Sequence, residues 1–262
     1  MRGWWQDLSD LVLPAQCAGC GRSRTTLCAR CAAAVRGAGP SRVRPRPEPV
    51  GLPVVHAAAP YGDAVRAVLL AHKERGALGL AGPLGEALAG AVRTGLAAAG
   101  WGGGEAVALV PMPSAARAVR ARGHDPTRRI AWSAAASLRR AGVPARVLAV
   151  LRQRRAVADQ AGLDARQRLA NVAGALEVVG GGSGLLTEVG RIVLVDDLMT
   201  TGASLAEAAR AIHAATRTEE TEGADRRAVP DRATRGLGMS GAITVRAAVL
   251  AASPDSFEIN RN

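Results

Sequence analysis

Short runs of apolar β-formers alternate along this chain with stretches whose apolar residues recur three and four positions apart, so it reads as strands separated by helices. Strands are predicted at 54–58, at 105–110 (running into Pro111-Met-Pro113), and at 145–151, 174–179, 191–196 and 243–251. Helices are predicted from Asp63, as a cap, to about Glu74, and then over 78–98, 127–141, 164–171 and 203–215. Residues 1–16 carry a further helical pattern, with Trp4, Trp5, Leu8, Leu11 and Val12 on overlapping faces and Pro14 as its stop. A Gly-rich turn at 180–184 precedes Arg191-Ile-Val-Leu-Val-Asp196, the most strand-like segment of all. This alternation predicts an α/β fold, a mostly parallel sheet flanked by helices.

The pattern fails in two places. Residues 36–53 contain five Pro and no hydrophobic period, which reads as a linker or extended arm. Residues 216–241 are polar and read as a mobile insert. The expected organisation is therefore an N-terminal module at 1–35, a linker at 36–53, a larger domain at 54–252 and a tail at 253–262.

All four cysteines fall inside the module, as Cys17-Ala-Gly-Cys20 and Cys28-Ala-Arg-Cys31. Two Cys-x-x-Cys knuckles place four thiolates so as to suit a tetrahedral structural zinc, with no open position for catalysis. Arg22, Arg24 and Arg30 would offset the charge of such a centre. Two disulfides, a redox pair or unrelated thiols are the alternatives. Trp4 and Trp5 read as a hydrophobic anchor beneath the module.

Composition narrows the class. Hydrophobic residues make up 48% of the 262, which excludes whole-chain disorder. No stretch approaches the roughly 18 consecutive apolar residues of a membrane span, and Met1–Pro14 lacks a signal-peptide core, so a cytoplasmic protein without membrane insertion is expected. The formal net charge is +12, and of the 34 basic residues Lys73 is the one lysine. Coding bias accounts for such a skew as readily as function does. Yet 13 Arg against 3 acidic residues lie in 117–168, a localised patch that points to phosphate in some form.

The segment that carries chemistry is Ile192-Val-Leu-Val-Asp-Asp-Leu-Met-Thr-Thr-Gly-Ala-Ser204. A buried strand ends in two carboxylates, and a hydroxyl/Gly loop leads directly into an amphipathic helix. In an open parallel sheet that end of a strand is where ligands bind. Backbone N–H groups at a helix N-terminus, with Thr200, Thr201 and Ser204 as further donors, suit a phosphate monoester. Asp196 and Asp197 repel phosphate but accept hydrogen bonds from sugar hydroxyls. A phosphorylated ribose satisfies both halves.

These thirteen residues resemble, position by position, the phosphoribosyl-pyrophosphate (PRPP) signature of the type I phosphoribosyltransferases. Val110-Pro-Met-Pro113, Arg117, Arg120 and Arg122-Gly-His-Asp125 resemble the pyrophosphate-side loop of the ComF family. Asp159-Gln-Ala-Gly-Leu163 with Arg166, Arg168 and Asn171-Val172 falls where that family has a flexible segment, and Lys73-Glu-Arg-Gly76 and the cysteine module fit it too. His124 and Asp125 depart from its usual aromatic and Asn, and the insert at 216–241 is longer than expected.

The resemblance implies transfer of a 5-phosphoribosyl group with release of pyrophosphate. Thr200, Thr201, Gly202, Ala203 and Ser204 would hold the 5-phosphate, Asp196 and Asp197 the ribose hydroxyls, and Mg²⁺ would accompany PRPP. Arg117, Arg120 and Arg122 are either pyrophosphate contacts or a solvated helix face. His124 is either a contact or a surface histidine, Arg152, Arg154 and Arg155 read as a mobile charged loop, and His72 and Lys73 read as helix-end cations. The resemblance also implies a link to DNA uptake, with single-stranded DNA or a competence helicase-like protein as partner and an oligomer as an open option. A PRPP-sensing regulator without turnover is the third alternative.

Overall fold

The computed structural model of the protein describes residues 16–155, 165–227 and 243–257. Residues 1–15 of the helix expected over 1–16 and the segment Asp159-Gln-Ala-Gly-Leu163 lie outside these residues, and Gln16 bridges to Ser23. Helix α1 (Ala29–Arg36) follows the cysteine knuckles and leads to strand β1 (Ser41–Val43). Next come β2 (Val55–Pro60), α2 (Asp63–Glu74), a 3-10 turn (Leu78–Leu80), α3 (Ala81–Ala97) and β3 (Val107–Pro111). The chain continues through α4 (Ala116–Arg122), α5 (Pro126–Arg140), β4 (Ala145–Val147), β5 (Leu151–Gln153), α6 (Ala165–Val172) and β6 (Leu176–Val178). It ends with α7 (Gly182–Val189), β7 (Arg191–Met199), α8 (Ala203–Arg227), β8 (Thr244–Ala252) and a 3-10 turn (Pro254–Ser256).

Six strands form one sheet in the order β1-β2-β8-β7-β3-β4, all parallel except the edge strand β1. The α/β class expected from the alternation is therefore observed. Strand β7 is buried on both faces because its apolar run alternates between two cores. Val193 and Val195 pack with α2, α3 and α5, whereas Ile192 and Leu194 pack with α7 and α8. Fully burying each such side chain contributes about 1.5–3 kcal/mol, which fixes this strand at the centre of the sheet. Among the described residues no helix is long and apolar enough to cross a membrane.

Several local expectations change. Gly62 is the N-cap of α2, and Asp63 is its first helical residue, where its charge meets the helix dipole without a capping hydrogen bond. The strand expected at 145–151 is two strands in different sheets, since β5 leaves β4 to pair antiparallel with β6. Within 36–53, Ser41–Val43 pairs with β2, and Val43 reaches across to Phe257. Helix α7 occupies a region read only as a Gly-rich turn. Helix α8 continues to Arg227, well past the expected end, and its polar extension contains three Glu and three Arg, which favour helix without an apolar face. The remainder of the expected insert, 228–241, lies outside the described residues.

Candidate functional site: an acid pair, a hydroxyl loop and a four-cysteine cluster

At the C-terminal edge of the sheet the central strand outruns one neighbour. The last register partners of β3 and β7 are Pro111 and Val195, while β7 continues along β8 to Met199 opposite Ala252. Asp196 and Asp197 therefore stand just beyond the end of β3. The Asp197 backbone N–H donates to Asp196 Oδ1 at 2.8 Å, which orients the first carboxylate. Burial, and then the charge of Asp197, hold the Asp196 carboxyl well above the ordinary carboxylate range, against the opposing pull of Lys73.

Lys73 completes this cluster. Its Nζ donates to Asp197 Oδ2 at 2.8 Å, with the lysine side chain 38% exposed and the aspartate 10%. Burial alone would lower the Lys73 pKa, but the attraction of Asp197 and Asp196 outweighs it and leaves it raised. A helix-end cation at a sequence distance of 124 residues is thus an ion-pair partner of the site. Its neighbours lock it in place. His72 is fully buried, with its ring nitrogens 3.4 Å from the carbonyls of Ala77 and Pro126. His124 is half-buried, its Nε2 3.3 Å from the His72 carbonyl, and Glu74 accepts from Arg122 at 2.8 Å.

The loop Thr200–Ser204 follows and turns into α8. Gly202 has φ +75°, and a Cβ there would lie 3.0 Å from Leu52 Cδ1, so both the backbone and the overlying arm favour glycine. That arm is fixed to the turn that follows β8, at the same edge of the sheet, since the Arg44 N–H donates to the Ser256 carbonyl at 2.7 Å. Thr200 and Thr201 open on a cavity of about 770 Å³ whose walls include Arg46, Arg168, Asp255 and Phe257. Ser204 faces a separate small cavity beside Met112 and Gln153. The loop hydroxyls thus serve two adjoining spaces.

The three arginines separate. Arg117 and Arg120 are exposed on α4. Arg122 is drawn to the Lys73 side by Glu74, and its Nε is buried without a hydrogen-bond partner. Asp125 is structural. It caps α5 by accepting from the Arg128 N–H at 3.1 Å and also accepts from Ser114 Oγ. Of Arg152, Arg154 and Arg155, expected in a charged loop, the first lies on β5 and the other two in the bend that follows it. Arg152 sits on β5 and pairs with Glu177 at 2.8 Å, the Arg154 N–H donates to the Ala175 carbonyl, and Arg155 donates to the carbonyls of Asn171 and Ala173. The strand, loop and helix read from the sequence around the acids are observed in that order. Sequence reasoning missed the Lys73 contact and the lining from Arg46, Asp255 and Phe257, because helix periodicity says nothing about which helix end meets which strand.

The second cluster is the cysteine module. All four sulfurs lie within 4.8 Å of one another, none is in a disulfide, and together they could hold a metal ion. Cys20 and Cys28 Sγ are 3.7 Å apart, matching the edge of ~3.8 Å that a tetrahedron with metal–sulfur bonds of about 2.3 Å requires. The Cys28 N–H donates to Cys17 Sγ at 3.3 Å. Burial would raise the Cys17 pKa, but the amides of Cys28, Gly19 and Cys20 outweigh it and bring it down to about 6. Burial, together with the neighbouring thiols, pushes Cys31 up to about 12, so the cluster is suited to a cation that compensates shared negative charge. Gly19 is required by space, because a Cβ there would lie 2.7 Å from Cys31 Sγ. Arg30 faces these sulfurs, and its contact with Cys20 raises its pKa.

No protein-family model matches the chain, and a comparison with curated proteins finds no match.

Proposed function

We propose that this is a ComF-like protein of the type I phosphoribosyltransferase fold that binds PRPP with Mg²⁺ and transfers its 5-phosphoribosyl group to a base or amine acceptor. The observation that carries this reading is the run from Asp196 and Asp197, at the C-terminal end of the central strand, through the hydroxyl loop into α8. In this reading Thr200–Ser204 hold the 5-phosphate and the acid pair the ribose hydroxyls. As the bond from the anomeric carbon to pyrophosphate breaks, pyrophosphate keeps the electron pair and the acceptor's lone pair bonds that carbon. The protein's task is to fix the sugar and steady the departing charge. This reading assigns pyrophosphate to Arg117, Arg120 and Arg122, of which Arg122 is also paired with Glu74 on the Lys73 side.

Lys73 already occupies Asp197 Oδ2, so the acid pair is not a ready cation cage. Mg²⁺ in this reading is held largely by the ligand's own oxygens and supplies Lewis-acid stabilisation of the leaving group. Zinc in the cysteine cluster is structural.

Calorimetry with PRPP and Mg²⁺ tests the site. Asp197→Asn and Thr201→Val are each expected to weaken binding by about a hundredfold while leaving the circular dichroism spectrum unchanged. Parental affinity in both variants overturns the assignment. Pyrophosphate release with a panel of bases separates a transferase from a PRPP-sensing regulator, which would bind the ligand without turnover. One observation favours a second reading, a DNA-handling accessory factor. Trp132 is 52% exposed on α5, with Arg128 4.8 Å from its ring centroid, so an exposed aromatic and a cation stand together, the two elements that single-strand binders combine.

A further inference from the structure

Every basic residue of this chain but one is an arginine, and the exception, Lys73, donates to Asp197 at 2.8 Å. With 34 basic positions, chance alone would put the lone lysine at this particular one about once in 34. A composition that makes arginine the default cation thus has lysine at the one basic position that, among the described residues, touches the acid pair. The two side chains differ there in a definite way. A guanidinium offers a planar fork that takes both oxygens of a carboxylate, whereas an ammonium is a point charge with three separate donors. Lys73 contacts Oδ2, which leaves Oδ1 of Asp197 and further lysine N–H groups to other partners.

The surroundings restrict where that ammonium can go. Lys73 lies in the last turn of α2, between buried His72 and Glu74, and Glu74 is itself tied to Arg122. His124 packs edge-on against His72 with ring centroids 6.1 Å apart. The other end of α2 is braced by the cysteine module, where Gly19 lies against Val68 and Ala64 packs on the cluster. The helix is held along its length, and the ammonium is delivered to one carboxylate oxygen.

We propose that Lys73 is the positioning residue of the acid pair: it holds Asp197 by a single oxygen, leaves the other to a ligand hydroxyl, and balances the pair's charge against a phosphate-rich ligand, a task lysine performs and arginine does not. This rests on the phosphoribosyl reading of the site. A sugar carrying several phosphates meets two carboxylates here, and their repulsion must be offset for it to settle. The high protonation range of Asp196 acts in the same direction.

The test compares the full-length parent with Lys73→Met and Lys73→Arg by calorimetry, using PRPP with Mg²⁺ and, as the less charged probe, ribose 5-phosphate. Lys73→Met is expected to weaken PRPP binding by about tenfold or more and ribose 5-phosphate binding by less, because repulsion scales with ligand charge. Lys73→Arg is expected to recover only part of that loss, because it restores the charge but not the single-oxygen contact. Thermal midpoints within a few degrees of the parent's keep the comparison free of unfolding. Parental PRPP affinity in Lys73→Met, or full recovery in Lys73→Arg, overturns the proposal while leaving the site reading intact. A parent that binds neither probe overturns the site reading and this proposal with it.

Discussion

Asp196 and Glu207 show how opposite environments act on like groups. Asp196 is held well above its ordinary range by burial and by Asp197. Its folded form therefore keeps a proton that the unfolded chain releases, so its stabilising contribution is complete below the unfolded value of 3.8 and is lost as pH rises through the raised folded value. Burial pushes Glu207 the same way, but hydrogen bonds from Arg210 and from the amides of Leu176 and Gly174 outweigh it and lower its pKa. Its contribution is present above 4.5 and disappears as pH falls through the lowered value. Thermal melting across pH is expected to show Asp196→Asn losing the parental decline in stability that runs from about 3.8 up to that carboxyl's raised folded value. An unchanged slope would remove Asp196 as its source. The adjacent acids were legible in the sequence. That one is paired to Lys73 while the other is driven toward its neutral form was not, because both effects come from residues brought in by folding.

At the scale of elements, α2 links the two clusters. The cysteine module packs against its Ala64 and Val68, and its last turn delivers Lys73 to β7. Loss of a metal from the module is therefore expected to reach the acid pair. Metal analysis of freshly purified, reduced protein should find about one zinc per chain, and chelation should lower both the melting temperature and PRPP affinity. Zinc near zero rejects the structural centre; chelation that leaves PRPP affinity untouched rejects the coupling through α2. Helices and strands with a clear apolar period were readable in advance, α3, α5, β3, β7 and β8 among them. The elements that escaped were short or polar: β1 inside a proline-rich arm, α7 behind a glycine run, and the polar extension of α8. Each is stabilised by what it packs against or by backbone propensity, neither of which leaves an amphipathic signature.

Across the whole molecule, the arginine-rich stretch includes arginines held by a partner and others exposed on helix faces. Arg122, Arg146 and Arg152 are paired with Glu74, Glu188 and Glu177, and Arg139 donates to the Ala145 carbonyl. Arg117 and Arg120 remain exposed on α4, and Arg128 is exposed beside Trp132. If a single strand is a partner, its affinity should fall steeply with salt, and Arg117→Ala with Arg120→Ala should flatten the logarithmic salt slope by about 0.7 for each phosphate that is no longer neutralised. A slope that the double variant leaves unchanged places any such neutralisation elsewhere. By itself, the sequence determined the alternation of strands and helices, the two cysteine knuckles and the acid–hydroxyl run after the central strand, because each is written in residues close together along the chain. Only the tertiary structure decided that Lys73 meets Asp197, that Arg122 parts from Arg117 and Arg120, and that the arm before β2 covers Gly202. Those contacts join residues far apart in sequence, and the sheet order that brings them together is set by packing in two cores rather than by any local pattern.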